Sequence, residues 1–396
     1  MKHTAYKEAV LELASMLEKA NVPYSFTKEA ALFIQGVPII PQRIHLLIQW
    51  DLLDSVHELF NIYGASPIEK EPGNARFELY FEGFLTEIAC FFNTTIKTDP
   101  YRITVKMDGQ ELFSRSLYSE LYFTEGSPFK EAILAHLLKE QQVLTGQNEQ
   151  AWNQNNYTAL INRYGEPEQV AEKIRQNPQW RLHPFYKYMK DLQGKKVMHL
   201  LGSNGVKATS LSLLGAEVTV VDFSKENASF AHKVAEAAGV SFNYIVSDVL
   251  SLEMEKLHGK FDYVLMELGV LHYFIALQPL MDLVNQLLTP GGKFVLHEFH
   301  PISTKLITST GKKHKVTGNY FDPTLHYSTV AFSKHMPEGA QEALSQTVQR
   351  KWTLGELVTT VAGAGLFVEV LEEEPNHKIH DIGLPKTFTL VARKQG

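Results

Sequence analysis

The sequence predicts two folded parts: a mixed α+β domain over residues 1–145, and from residue 195 to the end an α/β domain built on an open, mostly parallel sheet. Up to Thr145, one helical stretch is followed by short runs rich in β-branched and aromatic residues, with a hairpin signal among them. From Lys195 onward, apolar strand-like runs alternate with helical stretches at the spacing of βαβ units. Residues 146–194 read as a helical linker and cap. A chain of 396 residues, 44% hydrophobic and 21% charged, has ample apolar material for two cores.

In residues 3–20, Ala9, Leu11, Leu13, Met16 and Leu17 recur at near-helical spacing, and Asn21 and Pro23 end the pattern. The runs at 43–50, 76–81 and 86–92 predict strands, and Asp108-Gly109 predicts the turn of a hairpin within 101–113. Cys90, the single cysteine, sits in the apolar run 88–92 and reads as core. One cysteine leaves no disulfide framework and no cysteine-based metal site. Ser127-Pro128 predicts a helix start with proline at the first helical position, and Gly146 its stop. Residues 147–156, rich in Gln and Asn, read as a linker or the surface of a connecting helix. Residues 157–189 read as short helices punctuated by Pro167, Pro178 and Pro184.

Charge narrows the function classes. Up to Thr145 there are 13 Lys and Arg against 19 Asp and Glu, and after it 25 against 25, so neither part carries the basic excess of a protein that grips nucleic acid. The start has scattered charges in place of a signal-peptide core, and no stretch reaches the length of a membrane span, so a cytoplasmic address and no membrane partner are expected.

The chemistry-bearing motifs lie in the second part. The buried-strand pattern at 196–201 runs into Gly202-Ser203-Asn204-Gly205 and then a helix ending at Gly215, a turn that lets backbone approach a ligand at the carboxyl end of a strand. The next strand, 217–221, ends at Asp222, followed by Phe223. A carboxylate there can accept both ribose hydroxyls of an adenosine. The third strand, 243–246, leads to Ser247-Asp248-Val249, which puts a second carboxylate at the same sheet edge, placed to contact the adenine. The fourth, 261–266, runs into Glu267-Leu268-Gly269-Val270-Leu271-His272. After a helix, Leu288-Thr289-Pro290-Gly291-Gly292-Lys293 turns into the strand 294–297.

Jointly these motifs resemble class I S-adenosylmethionine-dependent methyltransferases from residue 195 to the end. The family's "LxPGGxhhh" turn, its "FDxVxxxxVLHH" fourth strand and its acid after the second strand all have counterparts. The resemblance implies a Rossmann-like sheet of order 3-2-1-4-5-7-6 with strand 7 antiparallel, 367–371 and 387–392 being the last two strands. It implies S-adenosyl-L-methionine as cofactor, held by Gly202, Ser203, Asn204, Gly205, Asp222, Phe223, Asp248, Val249 and Glu267. His272, on the rim where acceptors lie in this family, is the candidate base. The glycine motif departs from the family: aligned on Gly205, His199 stands where an acid is common, and Leu201 and Ser203 where glycines are common. A dehydrogenase would need G-x-G-x-x-G, which is absent.

Around this centre, Thr353 and Glu356 are spaced as a capping box. His297, Glu298 and His300 alternate at the end of the fifth strand, but two ligands on opposite faces of a strand do not make a site, so no metal is expected. The helices before Lys195 and the insertion after Pro301 are expected to roof the acceptor pocket, with Trp152, Tyr157, Arg163, Tyr320, His326 and Tyr327 as its polar-aromatic residues. Lys312-Lys313-His314-Lys315 reads as a solvated loop.

In the first part, residues 28–36 followed by Arg43-Ile44-His45-Leu46-Leu47-Ile48 resemble a small nucleotidyltransferase-like domain. Ala31, Leu32, Ile34 and Gly36 agree with that family. Lys28-Glu29 stands for its glycine pair, and His45 and Leu47 for its two metal-binding aspartates, with Asp51 the one carboxylate further along. The resemblance implies a fold without the oxygen-rich Mg²⁺ site of phosphoryl chemistry. The expected function is methyl transfer to an O, N or C atom of a small molecule. The rivals are an RNA or protein methyltransferase with the first domain as substrate reader, and a non-catalytic S-adenosylmethionine-binding protein.

Overall fold

A computed structural model describes residues 2–123, 128–310, 313–336, 344–376 and 383–396. The chain divides into two units, Met1–Lys139 and Glu140–Gly396.

In the first unit, helix α1 (Lys2–Lys19) buries Tyr6, Ala9, Val10, Leu13, Ala14 and Leu17, one apolar stripe at helical spacing. It is followed by β1 (Tyr24–Thr27), α2 (Lys28–Ile34), β2 (Arg43–Ile48), α3 (Leu53–Phe60), β3 (Glu69–Glu71), β4 (Asn74–Phe81), β5 (Phe84–Phe91), β6 (Arg102–Met107), β7 (Gln110–Arg115) and α4 (Leu117–Tyr122). The sheet order is β3-β4-β5-β2-β1-β7-β6. Asp108 and Gly109, with φ of 49° and 83°, close the β6–β7 hairpin in the doubly left-handed turn that their pairing predicts. Cys90 is fully buried in the core.

The residues aligned with a metal site do not assemble one. His45 and Leu47 are buried on β2 opposite Glu87 and Ala89 of β5, Asp51 is exposed in the turn beyond β2, and the Lys28 ammonium pairs with Glu87 at 3.2 Å. Among the described residues no group of three His, Cys, Asp or Glu could hold a metal ion.

Helix α5 (Lys130–Trp152) contradicts the expectation that Gly146 is a stop, since it continues six residues further. A helix tolerates interior glycine at a cost of roughly 1 kcal/mol, and here buried contacts on either side offset it. Asn148 is paired in both directions with the backbone of Val348, at 2.7 and 3.2 Å, so part of the Gln/Asn stretch is a packed helix face and not a linker. Ser127, the expected cap, lies outside the described residues.

The second unit continues with α6 (Asn156–Tyr164), α7 (Pro167–Gln176), β8 (Lys196–Leu200), α8 (Val206–Leu213), β9 (Glu217–Asp222), α9 (Lys225–Ala238), β10 (Asn243–Val246), β11 (Phe261–Glu267), α10 (Gln278–Leu287) and β12 (Leu288–Phe299). Then come two small hairpins, β13 (Ile307–Thr310) with β14 (Lys313–Val316), and β15 (Leu325–Ser328) with β16 (Thr347–Arg350). The chain closes with α11 (Leu354–Gly363), β17 (Leu366–Pro375) and β18 (Pro385–Lys394). The main sheet runs β10-β9-β8-β11-β12-β18-β17, its first five strands parallel and β18 antiparallel to both neighbours. This is the 3-2-1-4-5-7-6 order that the motifs imply. The central strands are apolar on both faces because helices cover both, as in β8, where Val197, Met198, His199 and Leu200 are all buried.

Two local features shape the carboxyl end of this sheet. Thr353 and Glu356 form the expected capping box at the start of α11, with backbone N–H donors at 3.1 and 2.9 Å. Lys305 is buried, its ammonium donating to the carbonyls of Asp322 and Lys351 at 2.7 Å each. Lys313, His314 and Lys315 belong to β14 instead of a loop, and Lys312 lies outside the described residues.

Candidate active site

The turn after β8 keeps its shape without the usual glycines. Leu201, Ser203 and Gly205 have φ of 51°, 47° and 67°, so the two non-glycine residues occupy the left-handed region that the family pattern fills with glycine. That conformation costs a side-chain-bearing residue about 1–2 kcal/mol. Glycine is retained where there is no room for anything else. A Cβ on Gly202 would lie 2.6 Å from Val220 Cγ1 and 2.9 Å from His199 Nδ1, and one on Gly205 would lie 2.5 Å from the Ala231 Cβ. Asn204 caps the following helix turn, accepting the Val206 N–H at 3.2 Å.

Asp222, at the end of β9, accepts N–H bonds from Ser203 (3.1 Å), Ser224 (2.9 Å) and the Asn227 side chain (3.3 Å). Burial raises its pKa while these donors oppose the rise. Asp248, two residues beyond β10, accepts the Leu250 N–H at 3.2 Å and is raised by burial too. Both line one cleft with Leu201, Val221, Phe223, Ser247, Val249, Tyr273 and Phe274, and with Gln141, Thr145 and Asn148 of α5. The cleft is narrow, with about 20 Å³ free. Gln141 ties α5 to its far wall, donating to the Tyr273 carbonyl at 2.9 Å and accepting the Ile275 N–H at 2.8 Å. The cleft thus sets two carboxylates among apolar and aromatic side chains.

Beyond this cleft, Glu267 at the end of β11 pairs with Lys207 of α8. His199 Nε2 is 3.8 Å from Glu267, and neither of its ring nitrogens has a hydrogen-bond partner. Burial, and secondarily Lys207, pushes His199 down to about 3. A neutral imidazole thus stands where the family has an acid.

A second cavity, of about 370 Å³, is lined by Leu271, His272, Glu298, Phe299, Pro301, Thr304, Gln349, Lys351, Trp352, Thr353, Leu357 and Phe388. His272 sits in the turn after β11, its Nε2 buried without a hydrogen-bond partner. Burial, and then the Lys351 charge, pushes it down to about 4, so the ring is neutral. The turn that carries it is fixed by Glu298, whose carboxylate accepts the N–H groups of Gly269 (2.6 Å), Val270 (3.0 Å), Leu271 (3.4 Å) and Phe299 (2.7 Å). Burial raises the Glu298 pKa and those four bonds oppose it. His297 bonds Thr389 at 3.0 Å and His300 bonds Glu373 at 2.6 Å, so the alternating triplet disperses to three separate partners.

The six expected acceptor residues line neither cavity. Trp152 donates to the Tyr273 hydroxyl at 3.1 Å, from behind the cleft wall. Tyr157 packs on Phe230 and accepts from Lys233 at 2.9 Å, and Arg163 is exposed beside Tyr164. Tyr320 accepts the Leu354 N–H at 3.0 Å at the start of α11, while His326 and Tyr327 lie on β15, Tyr327 exposed. Trp152, Tyr157 and Tyr320 thus tie the cap and the insertion to their neighbouring elements, as polar-tipped aromatics commonly do in a connecting layer. In their place the sequence reading missed Gln141, Thr145, Asn148, Glu298, Gln349 and Lys351. Of these, only Asn148 lies in the Gln/Asn-rich stretch, and Glu298 figures in the sequence reading only as a metal ligand.

Residues 201–296 match a family model described as a methyltransferase domain. No curated protein matches the sequence. Among solved structures, the chain is similar to an S-adenosylmethionine-dependent methyltransferase from Mesorhizobium loti (19% identity, 55% of this chain and 98% of that one, TM-score 0.44). It is similar also to one from Clostridium acetobutylicum (13% identity, 55% and 91%, TM-score 0.40). A third is a magnesium protoporphyrin IX methyltransferase from Synechocystis PCC 6803 with bound S-adenosylhomocysteine (14% identity, 65% and 100%, TM-score 0.40). The family match lies wholly in the second unit and no comparison supports the nucleotidyltransferase resemblance of the first. Residues 201–296 thus match a methyltransferase domain, and they lie in a sheet of order β10-β9-β8-β11-β12-β18-β17, the Rossmann-like class I arrangement.

Proposed function

We propose that the second unit methylates an O, N or C atom of a small molecule seated in the cavity beside His272. The observation that carries this is the buried, unpartnered Nε2 of His272 on the wall of a cavity of about 370 Å³, a size suited to a small molecule. When bound, S-adenosylmethionine supplies a methyl group on a sulfonium, open to in-line attack. Asp222 and Asp248 hold the nucleoside, with Phe223 and Val249 against the base and Gly202, Ser203, Asn204 and Gly205 giving the backbone approach. Glu267, with Lys207, faces the amino-acid end. His272 orients the acceptor and takes its proton at Nε2, and Glu298 holds the turn that presents it. Its neutral state leaves Nε2 free to accept at neutral pH.

His272→Ala is expected to lower turnover by about 10²-fold or more while leaving S-adenosylhomocysteine affinity nearly intact. A drop of less than a few-fold, in kinetics on an acceptor found by labelled methyl transfer in cell extract, would assign His272 to packing. For the first unit the proposal is a nucleotidyltransferase-like fold without transferase chemistry, serving binding or assembly. The support is the buried His45 and Leu47 in place of paired carboxylates.

A further inference from the structure

Resting on the acceptor cavity just described, we infer that the acceptor is an apolar or aromatic molecule carrying a carboxylate, which the Lys351 ammonium receives. Six of the lining groups are apolar: Leu271, Phe299, Pro301, Trp352, Leu357 and Phe388. The Trp352 indole N–H donates to the carbonyls of Leu271 and Phe274 at 3.1 and 3.2 Å, and the Arg350 guanidinium lies over its ring at 3.5 Å, which fixes the ring in the wall. The polar lining is mostly consumed by the protein itself. Glu298 accepts four backbone N–H groups, Thr353 belongs to the α11 capping box, and the Gln349 amide donates to Ser328 and Thr347 at 2.8 and 3.0 Å.

Two groups remain unspent. One is Nε2 of His272. The other is Lys351, whose ammonium donates to the neutral Thr304 carbonyl at 2.7 Å and, among the described residues, has no carboxylate partner. It is the one cation among the described lining residues. A cation on an apolar wall is screened less than at an open surface, so a monoanion entering the cavity gains more there than it would in water. The two groups set the acceptor's polarity: an acid at Lys351, and an O–H or N–H donor at His272. As the donor atom takes the methyl group, the carbon–sulfur electron pair stays on sulfur as a thioether and the donor's proton passes to Nε2 of His272. Atoms and charge balance without a further reactant.

The test uses the full chain with saturating S-adenosylhomocysteine, whose own binding is first measured by calorimetry. Ligand-observed NMR then compares 4-hydroxyphenylacetate, 4-hydroxycinnamate and indole-3-acetate with their primary amides. The acids are expected to bind about tenfold tighter than the amides, a gain typical of one charge-assisted contact. Lys351→Met should erase that preference and Lys351→Arg should keep most of it, with S-adenosylhomocysteine affinity and melting temperature unchanged in both. Amides that bind as well as acids, a preference that survives Lys351→Met, or no binding by any of the acids would each overturn the inference. Failure of S-adenosylhomocysteine to bind would instead strike the methyltransfer reading on which it rests.

Discussion

Asp222 has two employments that pull in the same direction. Its carboxylate draws the Ser203, Ser224 and Asn227 donors together, and it presents its remaining acceptor capacity to the cleft. Asp222→Ala should therefore weaken S-adenosylhomocysteine binding by about 1.5–3 kcal/mol for each charge-assisted bond lost, read by titration calorimetry. Unchanged affinity would remove Asp222 from the cofactor site. His272 makes a different kind of prediction. Its folded pKa of about 4 lies below its ordinary 6.5, so as pH falls the unfolded chain takes the proton first and stability is lost across that window. The stability difference between the wild type and His272→Gln, from urea unfolding, should rise from pH 4 to about 6.5 and stay flat above. A difference that is level throughout would show an imidazole in free contact with water. Asp222 and Asp248 were legible because an acid ending a strand is a one-residue signal. Lys351 was not, because its meaning comes from the absence of a partner, and absence is a property of three-dimensional neighbours.

Among elements, the first four strands of the main sheet, β8 to β11, were readable to within a residue, since β-branched runs ending in Gly or Asp mark both the strand and its carboxyl end. By contrast, β12 starts six residues earlier than expected and the hairpins β13 to β16 gave no such signal. What misled was Gly146, whose punctuation value was overridden by Asn148 and Gln141 packing on either side. The glycine turn shows the opposite balance. Leu201 and Ser203 hold left-handed backbone without glycine, because the turn is pinned by the Ser203 N–H to Asp222 bond. Gly205 has no such latitude: a methyl group there meets Ala231 of α9 at 2.5 Å and stands on φ of 67°. Gly205→Ala should destabilise the protein by roughly 2–4 kcal/mol, combining left-handed strain with overpacking, and weaken cofactor binding as α8 and α9 part. A melting temperature within a degree of wild type would show that α9 gives way at no cost.

For the molecule as a whole, the division between units falls inside α5, at Lys139 and Glu140, and the cleft that holds Asp222 and Asp248 draws Gln141, Thr145 and Asn148 from the same helix. A truncation at residue 146, the boundary that composition suggests, would remove Gln141 and Thr145 from that cleft and leave Asn148 on the frayed end of a cut helix. The expectation is that residues 130–396 bind S-adenosylhomocysteine with near-native affinity while residues 146–396 bind it at least several-fold more weakly. Equal calorimetric affinities would show that the helix is a bystander. The first unit's sheet was foreseeable from its alternating runs, but its role was not, because the residues that would have declared a chemistry are His45 and Leu47.

The family match ends at residue 296, while the cavity proposed for the acceptor takes most of its wall from later residues: Glu298, Phe299, Pro301, Thr304, Gln349, Lys351, Trp352, Thr353, Leu357 and Phe388. On the proposed reading, acceptor recognition is written mostly after the family match, with Leu271 and His272 as its only residues inside it. Mutations in the later stretch would then change what is methylated while the affinity for the methyl donor stays put. The constraint on such drift is Glu298, the hinge between the two texts, since it fixes from the acceptor side the turn that delivers His272 from the donor side.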